Sequence, residues 1–135
     1  MILIDTSTLI DSLKGNANNS TKALEKIIEK EMPFCISILT YQEILQGAKS
    51  DTEFEKLKSY FSTLNILYLP HDIDFYNFAS DMRVKLKQKG ITINSSIDFL
   101  IAMTAISNGY TLLHNDKDYE CISNEFPELV ICYDV

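Results

Sequence analysis

No apolar run in this chain approaches the roughly 20 residues that span a bilayer; Phe99 to Met103 and Ile66 to Leu69 are among the longest. The N-terminus opens on a strand-like run without a basic leader, so neither export nor membrane insertion is expected, and the cytoplasm is the expected compartment. Glycine (4) and proline (3) are scarce, and charged residues are 23% against 46% hydrophobic, which excludes collagen-like, low-complexity and disordered chains. Cys35, Cys121 and Cys132 form no CxxC pair and leave an odd count, which argues against a disulfide framework or a zinc knuckle. Cations are also short: nineteen acids against twelve bases give a net charge of −7, so the chain does not grip nucleic acid by charge alone, and a polyanionic substrate needs local help. There is no GxSxG elbow, no P-loop and no HExxH, and two isolated histidines suit a Ser/His/Asp triad poorly.

What is present is one domain's length of chain. At 135 residues a fold buries about two-thirds of the surface its unfolded chain exposes, so residues 1–135 read as a single domain with a real core. Ile2 to Ile4 reads as a buried strand ending at Asp5, with a short helix around Leu9 to Leu13. A helix carrying Ala23, Leu24, Ile27 and Ile28 stops before Pro33. A strand over Phe34 to Leu39 gives way to helical spacing from Thr40, with Glu43 in its first turns. Thr52 is expected to cap a helix with Phe54, Leu57, Phe61 and Leu64 inward, followed by a strand at Ile66 to Leu69. Asp72 caps a helix with Phe75, Phe78, Ala79, Met82 and Leu86 inward, ended by Gly90. Ser95 or Ser96 opens a helix closed by Asn108 and Gly109; strand Tyr110 to Leu113, a short helix from Asp116 to Ser123 and strand Leu129 to Tyr133 complete the series. Short apolar strands alternating with helices predict an α/β fold, three layers deep, with a mostly parallel sheet of about five strands.

Such sheets hold their chemistry beyond the carboxyl ends of the strands, at the switch in strand order. The residues found there are Asp5, Glu43, Asp98, Asp116 and Asp118, all acidic. Helix capping alone accounts for Asp98 or Asp116 taken singly. Asp5 is different, because a carboxylate closing a buried strand carries a desolvation cost that a cation or donor must offset. Three or four carboxylates converging without His or Cys suit a hard, oxygen-preferring cation, Mg²⁺ or Mn²⁺.

The residues also carry a family resemblance. Ile4-Asp5-Thr6-Ser7-Thr8-Leu9-Ile10, Glu43-Ile44-Leu45-Gln46-Gly47, Asp98 to Ala105 and Asn115-Asp116-Lys117-Asp118-Tyr119 resemble, in order, the four motifs of PIN-domain ribonucleases, and within them the VapC-type toxins of bacterial toxin–antitoxin pairs. The resemblance implies a Mg²⁺-dependent endoribonuclease with Asp5, Glu43, Asp98 and Asp116 as catalytic acids and Mn²⁺ as a substitute ion. It implies Asp5 and Asp98 as direct metal ligands, Asp116 as a ligand directly or through water, and Glu43 as a second-metal ligand or water-orienting base. Thr6 and Ser7 would help by hydrogen bonds, with Asp118 as a further acid. It further implies RNA as substrate, a homodimer, a small VapB-like antitoxin placing a cation such as Arg among the acids, and contact with DNA only through that antitoxin. Two positions depart from the pattern: His114 stands where relatives commonly carry Thr or Ser, and Met103, read as core packing, where a small Ala is usual.

Arg83, Lys85, Lys87 and Lys89 crowd the end of one helix. Arg83 and Lys87, sharing a face, are candidates for gripping the RNA backbone, against the alternative of a solvated helix end that complements the dipole; Lys117 is a second candidate. A receiver domain or a haloacid-dehalogenase-like phosphatase would also place Asp after a first strand. Both need a partner acid that Thr6, Ser7 and Pro70 do not supply. A catalytically idle PIN scaffold and an RNA-processing nuclease without an antitoxin are the remaining alternatives.

Overall fold

Short continuous apolar runs suit strands buried on both faces, and period-two alternation then sends successive side chains to opposite layers. The computed structural model, which describes residues Met1–Val135, has this organisation. In chain order the elements are β1 (Ile2–Ile4), α1 (Thr6–Leu13), α2 (Asn19–Glu29), β2 (Phe34–Ser37), α3 (Ile38–Leu45), α4 (Asp51–Phe61), β3 (Asn65–Leu67), α5 (Ile73–Gln88), α6 (Ser96–Asn108), β4 (Thr111–Leu113), α7 (Lys117–Glu125) and β5 (Val130–Ile131). The strands form one sheet in the order β3-β2-β1-β4-β5, and every neighbouring pair is parallel. Leu3, Cys35 and Leu112 lie in register on one face, packed with residues of α5, α6 and α7. Ile4, Ile36 and Leu113, one residue on, lie on the other face with α1, α2, α3 and α4. The result is the expected three-layer α/β/α fold.

The chain runs outward from β1 to β2 and β3, then returns to place β4 on the other side of β1. The switch in strand order therefore falls between β1 and β4. Beside it lies α6, in which Ile101, Ala102, Met103, Thr104 and Ala105 are all buried. A helix apolar on every side is a core helix, and the buried Met103 is packing, as expected. Gly109 ends α6 in the left-handed region at φ 66°.

Element boundaries depart from the sequence expectation where a serine caps a helix. β2 stops at Ser37 and not Leu39, because the Ser37 hydroxyl accepts from the Leu39 amide and starts α3 at once. α4 is capped by Ser50, which accepts from the Glu53 amide, and not by Thr52. Of its expected inner face only Phe61 is buried, and Phe54 is exposed. α1 begins at Thr6, earlier than expected, since Asp5 is itself the cap. Ser95 is the cap of α6, and Asp72 caps α5 as expected.

Ile36 sits fully buried in β2 beside the central strand. Ile36→Val is expected to lower unfolding free energy by about 1 kcal/mol and Ile36→Ala by about 3–4 kcal/mol, read from urea denaturation midpoints.

Candidate active site

β1 delivers Asp5 to the switch point, where the residue is 1% exposed. The buried carboxylate is met by donors. Oδ2 accepts from the Ser7 amide at 2.9 Å and the Ser7 hydroxyl at 2.6 Å, and Oδ1 accepts from the Tyr119 hydroxyl at 2.5 Å. Ser7 Oγ also accepts from the Asn115 amide at 2.9 Å, which fastens the residues after β4 to the start of α1. Thr6 Oγ1 lies 2.9 Å from Thr40 Oγ1 and 3.3 Å from Glu43 Oε2, so the first turn of α1 positions the acid on α3. Asp98 stands in the first turn of α6, its amide donating to the capping Ser95 hydroxyl. Asp116 caps α7, accepting from the Asp118 amide, while its own amide donates to His114 Nδ1 at 3.0 Å.

These acids face one another. Burial, and then the charges of Asp5, Asp116, Glu43 and Asp118, push the Asp98 carboxyl up to about 7. Burial also raises Glu43, with the Asp5 charge adding and the Thr6 hydroxyl opposing. No lysine or arginine forms an ion pair with any of the five. A cluster of oxygen donors carrying uncompensated negative charge fits a hard divalent cation. No three of these carboxylates already share a point at ligand distance, so the site is a convergent acidic cleft and not a closed cage. Mg²⁺ keeps several waters and needs only one or two carboxylates, which matches that openness.

The structure thus brings together Asp5, Glu43, Asp98, Asp116 and Asp118, with Thr6 and Ser7 supporting them. None of the helix-end cations forms an ion pair with these acids. Arg83 is turned inward, donating to the Ile93 carbonyl at 2.6 Å with its guanidinium over the Phe99 ring. Lys85 pairs with Asp81 and Lys89 with Glu125, leaving Lys87 as the one member of the group in neither a hydrogen bond nor an ion pair. Lys117, next to Asp116, is exposed and in no ion pair. It borders a cleft of about 380 Å³ that runs from Asp116 past Asn115 to Tyr133, a residue that is 70% exposed.

Sequence reasoning gave no role to Tyr119, Asn115 or Thr40. Thr40 precedes Glu43 by three on α3, the helical spacing that puts two side chains on one face, and that spacing was its available signal; Tyr119 and Asn115 stand within the run Asn115 to Tyr119, which carries no signal of their partners near Asp5. His114 is structural: burial lowers its pKa against the pull of Glu120, its Nδ1 is used by the Asp116 amide, and its ring packs on Tyr119 at 5.0 Å.

With an α/β/α fold and an acidic cleft at its switch point in place, the comparisons with known proteins are specific. The family model described as PIN domain matches residues 2–124, and the chain belongs to the PIN domain family. The chain is 30% identical over 126 residues, 91% of its length and 92% of theirs, to VapC ribonuclease Mb1587 of Mycobacterium bovis and to Ribonuclease VapC11 of Mycobacterium tuberculosis, which places it among the VapC-type members. It shares its fold with the VapBC2 structure from Rickettsia felis bound to a promoter DNA fragment (TM-score 0.76, 24% identity, 98% of each chain). The same holds for VapBC-1 from nontypeable Haemophilus influenzae (TM-score 0.75, 23% identity, 98% of this chain and 97% of that one).

A carboxyl held near 7 when folded and near 3.9 when unfolded keeps its proton longer in the folded state. Between about pH 4 and 7 the folded form therefore binds more protons, and stability falls as pH rises. In chelator-treated buffer, Asp98→Asn is expected to melt about 3 °C above wild type at pH 8, after allowance for solvent screening, and to converge with it only as the pH falls to about 4. Differential scanning calorimetry at the two pH values checks this.

Proposed function

We propose that the chain is a Mg²⁺-dependent endoribonuclease and the toxin of a VapBC-type pair, working as a homodimer held inactive by a small VapB-like antitoxin. The observation that carries this is the convergence of Asp5, Glu43, Asp98 and Asp116 at the switch point with no cation of the chain among them. The ribonuclease names of its relatives support the substrate class, and the VapBC complexes among its structural neighbours support the partner.

Mg²⁺, with Mn²⁺ able to replace it, would neutralise charge on the phosphate and lower the pKa of a bound water. Asp5 and Asp98 would hold it, with Asp116 as a ligand directly or through water and Asp118 as a further acid beside it. Glu43, whose carboxyl burial holds above its ordinary range, would serve as a second-metal ligand or orient the attacking water and take its proton. Thr6 fixes that carboxylate through its 3.3 Å contact, and Ser7 fixes Asp5. RNA would lie along the cleft between Lys117 and Tyr133, which offer a cation for phosphate and an exposed ring for a base. A guanidinium from the antitoxin would pair with the same carboxylates bidentately and so compete with the metal. Contact with DNA would come only through the antitoxin.

The purified chain is expected to cleave single-stranded RNA with Mg²⁺ or Mn²⁺, to stop on chelation, and to lose about 10³-fold in rate in Asp5→Asn and Asp98→Asn, which stay folded. Cleavage by either variant at the wild-type rate refutes the assignment. Expression toxicity should disappear in the same variants and on co-expression with a VapB-like antitoxin.

For RNA binding by the inactive Asp98→Asn chain, Lys117→Ala is expected to reduce the magnitude of the slope of log K against log salt by about 0.7. Lys87→Ala tests the free member of the helix-end group in the same way. Arg83→Ala is expected to lower the melting temperature while leaving the slope unchanged, because its guanidinium is committed to Ile93 and Phe99.

A further inference from the structure

Glu120 is an acid that the site described above leaves unused. It lies in the first turn of α7, four residues after the capping Asp116, and lines the same cleft as Asp116, Lys117 and Tyr133, with 42% of its side chain exposed. Along a path for phosphate a further negative charge only repels. Its use is therefore toward groups that carry N–H donors, which on RNA are the bases. We infer that Glu120 and Tyr133 form a base-reading subsite for guanine, the Tyr133 ring stacking on the base and the Glu120 carboxylate accepting from its N1–H and N2–H. This rests on the chain being a ribonuclease whose substrate lies in this cleft.

The carboxylate is held in place from behind. The Tyr133 hydroxyl donates to Oε2 at 2.6 Å, and that bond raises the phenol above its ordinary range, so it stays a donor. His114 Nδ1 accepts from the Asp116 amide, so the neutral ring carries its proton on Nε2. Nε2 is buried, has no hydrogen-bond partner and lies 3.3 Å from Glu120 Oε1, close enough to steady that oxygen without capturing it. Each Glu120 oxygen thus keeps lone-pair capacity for a ligand. Two parallel acceptors choose among the bases. Guanine alone presents two adjacent donors on its Watson–Crick edge, whereas adenine and cytosine set one donor beside an acceptor, and uracil flanks one donor with two acceptors. A carboxylate meets those acceptors with repulsion. The cleft, at about 380 Å³, is of the size that takes a small planar ligand, and Tyr133 is exposed enough to offer a stacking face. Glu120 stands about one helical turn from Asp116, so the base it reads belongs to a nucleotide beside the acidic set.

The test uses short single-stranded RNAs, uridine throughout except for one position that is guanosine, inosine or adenosine. Affinity is read by fluorescence anisotropy in the inactive Asp98→Asn chain; in parallel, the active chain is given total RNA with Mg²⁺ and the cut ends are sequenced. The guanosine RNA is expected to bind about tenfold more tightly than the adenosine RNA, with inosine, which lacks the N2 amine, between them, and the cuts are expected to cluster beside guanosine. Glu120→Gln keeps an oxygen for the Tyr133 hydroxyl but turns one acceptor into a donor, the pattern that adenine N6–H and N1 complement. It is expected to invert the preference toward adenosine in both assays. Tyr133→Leu is expected to weaken all three RNAs about tenfold. The same guanosine-to-adenosine ratio with Glu120 and with Glu120→Gln, as a contact that merely fastens Tyr133 to α7 would give, overturns the subsite and leaves the ribonuclease reading standing. Failure of the active chain to cut total RNA overturns the ribonuclease reading and this inference with it. Should Glu120→Gln not fold, Glu120→Ala removes both acceptors and is expected to bring the ratio to about one; an unchanged ratio there refutes the subsite.

Discussion

A single buried carboxylate organises this molecule. Asp5 follows the central strand with only 1% of its surface exposed, and a largely desolvated charge is tolerated only if donors surround it. Those donors come from elements distant in sequence. The Ser7 amide and hydroxyl bring the first turn of α1, the Ser7 link to Asn115 brings the segment after β4, and the Tyr119 hydroxyl brings α7. Satisfying one carboxylate therefore also closes the crevice in which the remaining acids meet.

Those acids stand on rigid supports. Asp98 belongs to a helix whose next turns are buried on every side, and Asp116 is tied by its backbone to the half-buried His114. Mutual repulsion would splay carboxylates carried on loops. Here the core packing of α6 keeps Asp98 facing its neighbours, and burial, with their charges added, holds its carboxyl near 7. Stability is lost where the acids meet, an exchange common at functional sites.

The fold and the acids were legible in the sequence because each leaves a local trace. Leu3 and Ile4 belong to a short apolar run, and Asp5 follows it; the same grammar marks Asp116 after Leu113. Boundaries were less visible, since Ser37, Ile38 and Leu39 continue an apolar stretch and nothing in the letters says that the serine hydroxyl will turn back to cap a helix. Side-chain partnerships across the fold were not visible at all. The four cations near residues 83–89 look equivalent in a row, yet one is folded inward, two are paired, and one of those pairings is with Glu125 on another helix. Tyr119 reads as an ordinary aromatic until the fold sets it against a residue 114 positions earlier.

That separation bears on how the protein is made. The central strand is among the first parts synthesised, but one of its two neighbours, β4, and the tyrosine that completes its terminal carboxylate come from the far end of the chain. Contacts so distant in sequence form late, after the loops between them have closed. On the ribosome the growing polypeptide can assemble β1 with β2 and β3 while Asp116 and Tyr119 are still unmade. A nascent chain therefore carries no assembled acidic cleft beside the messenger RNA being read, and the cleft comes into existence only as synthesis finishes.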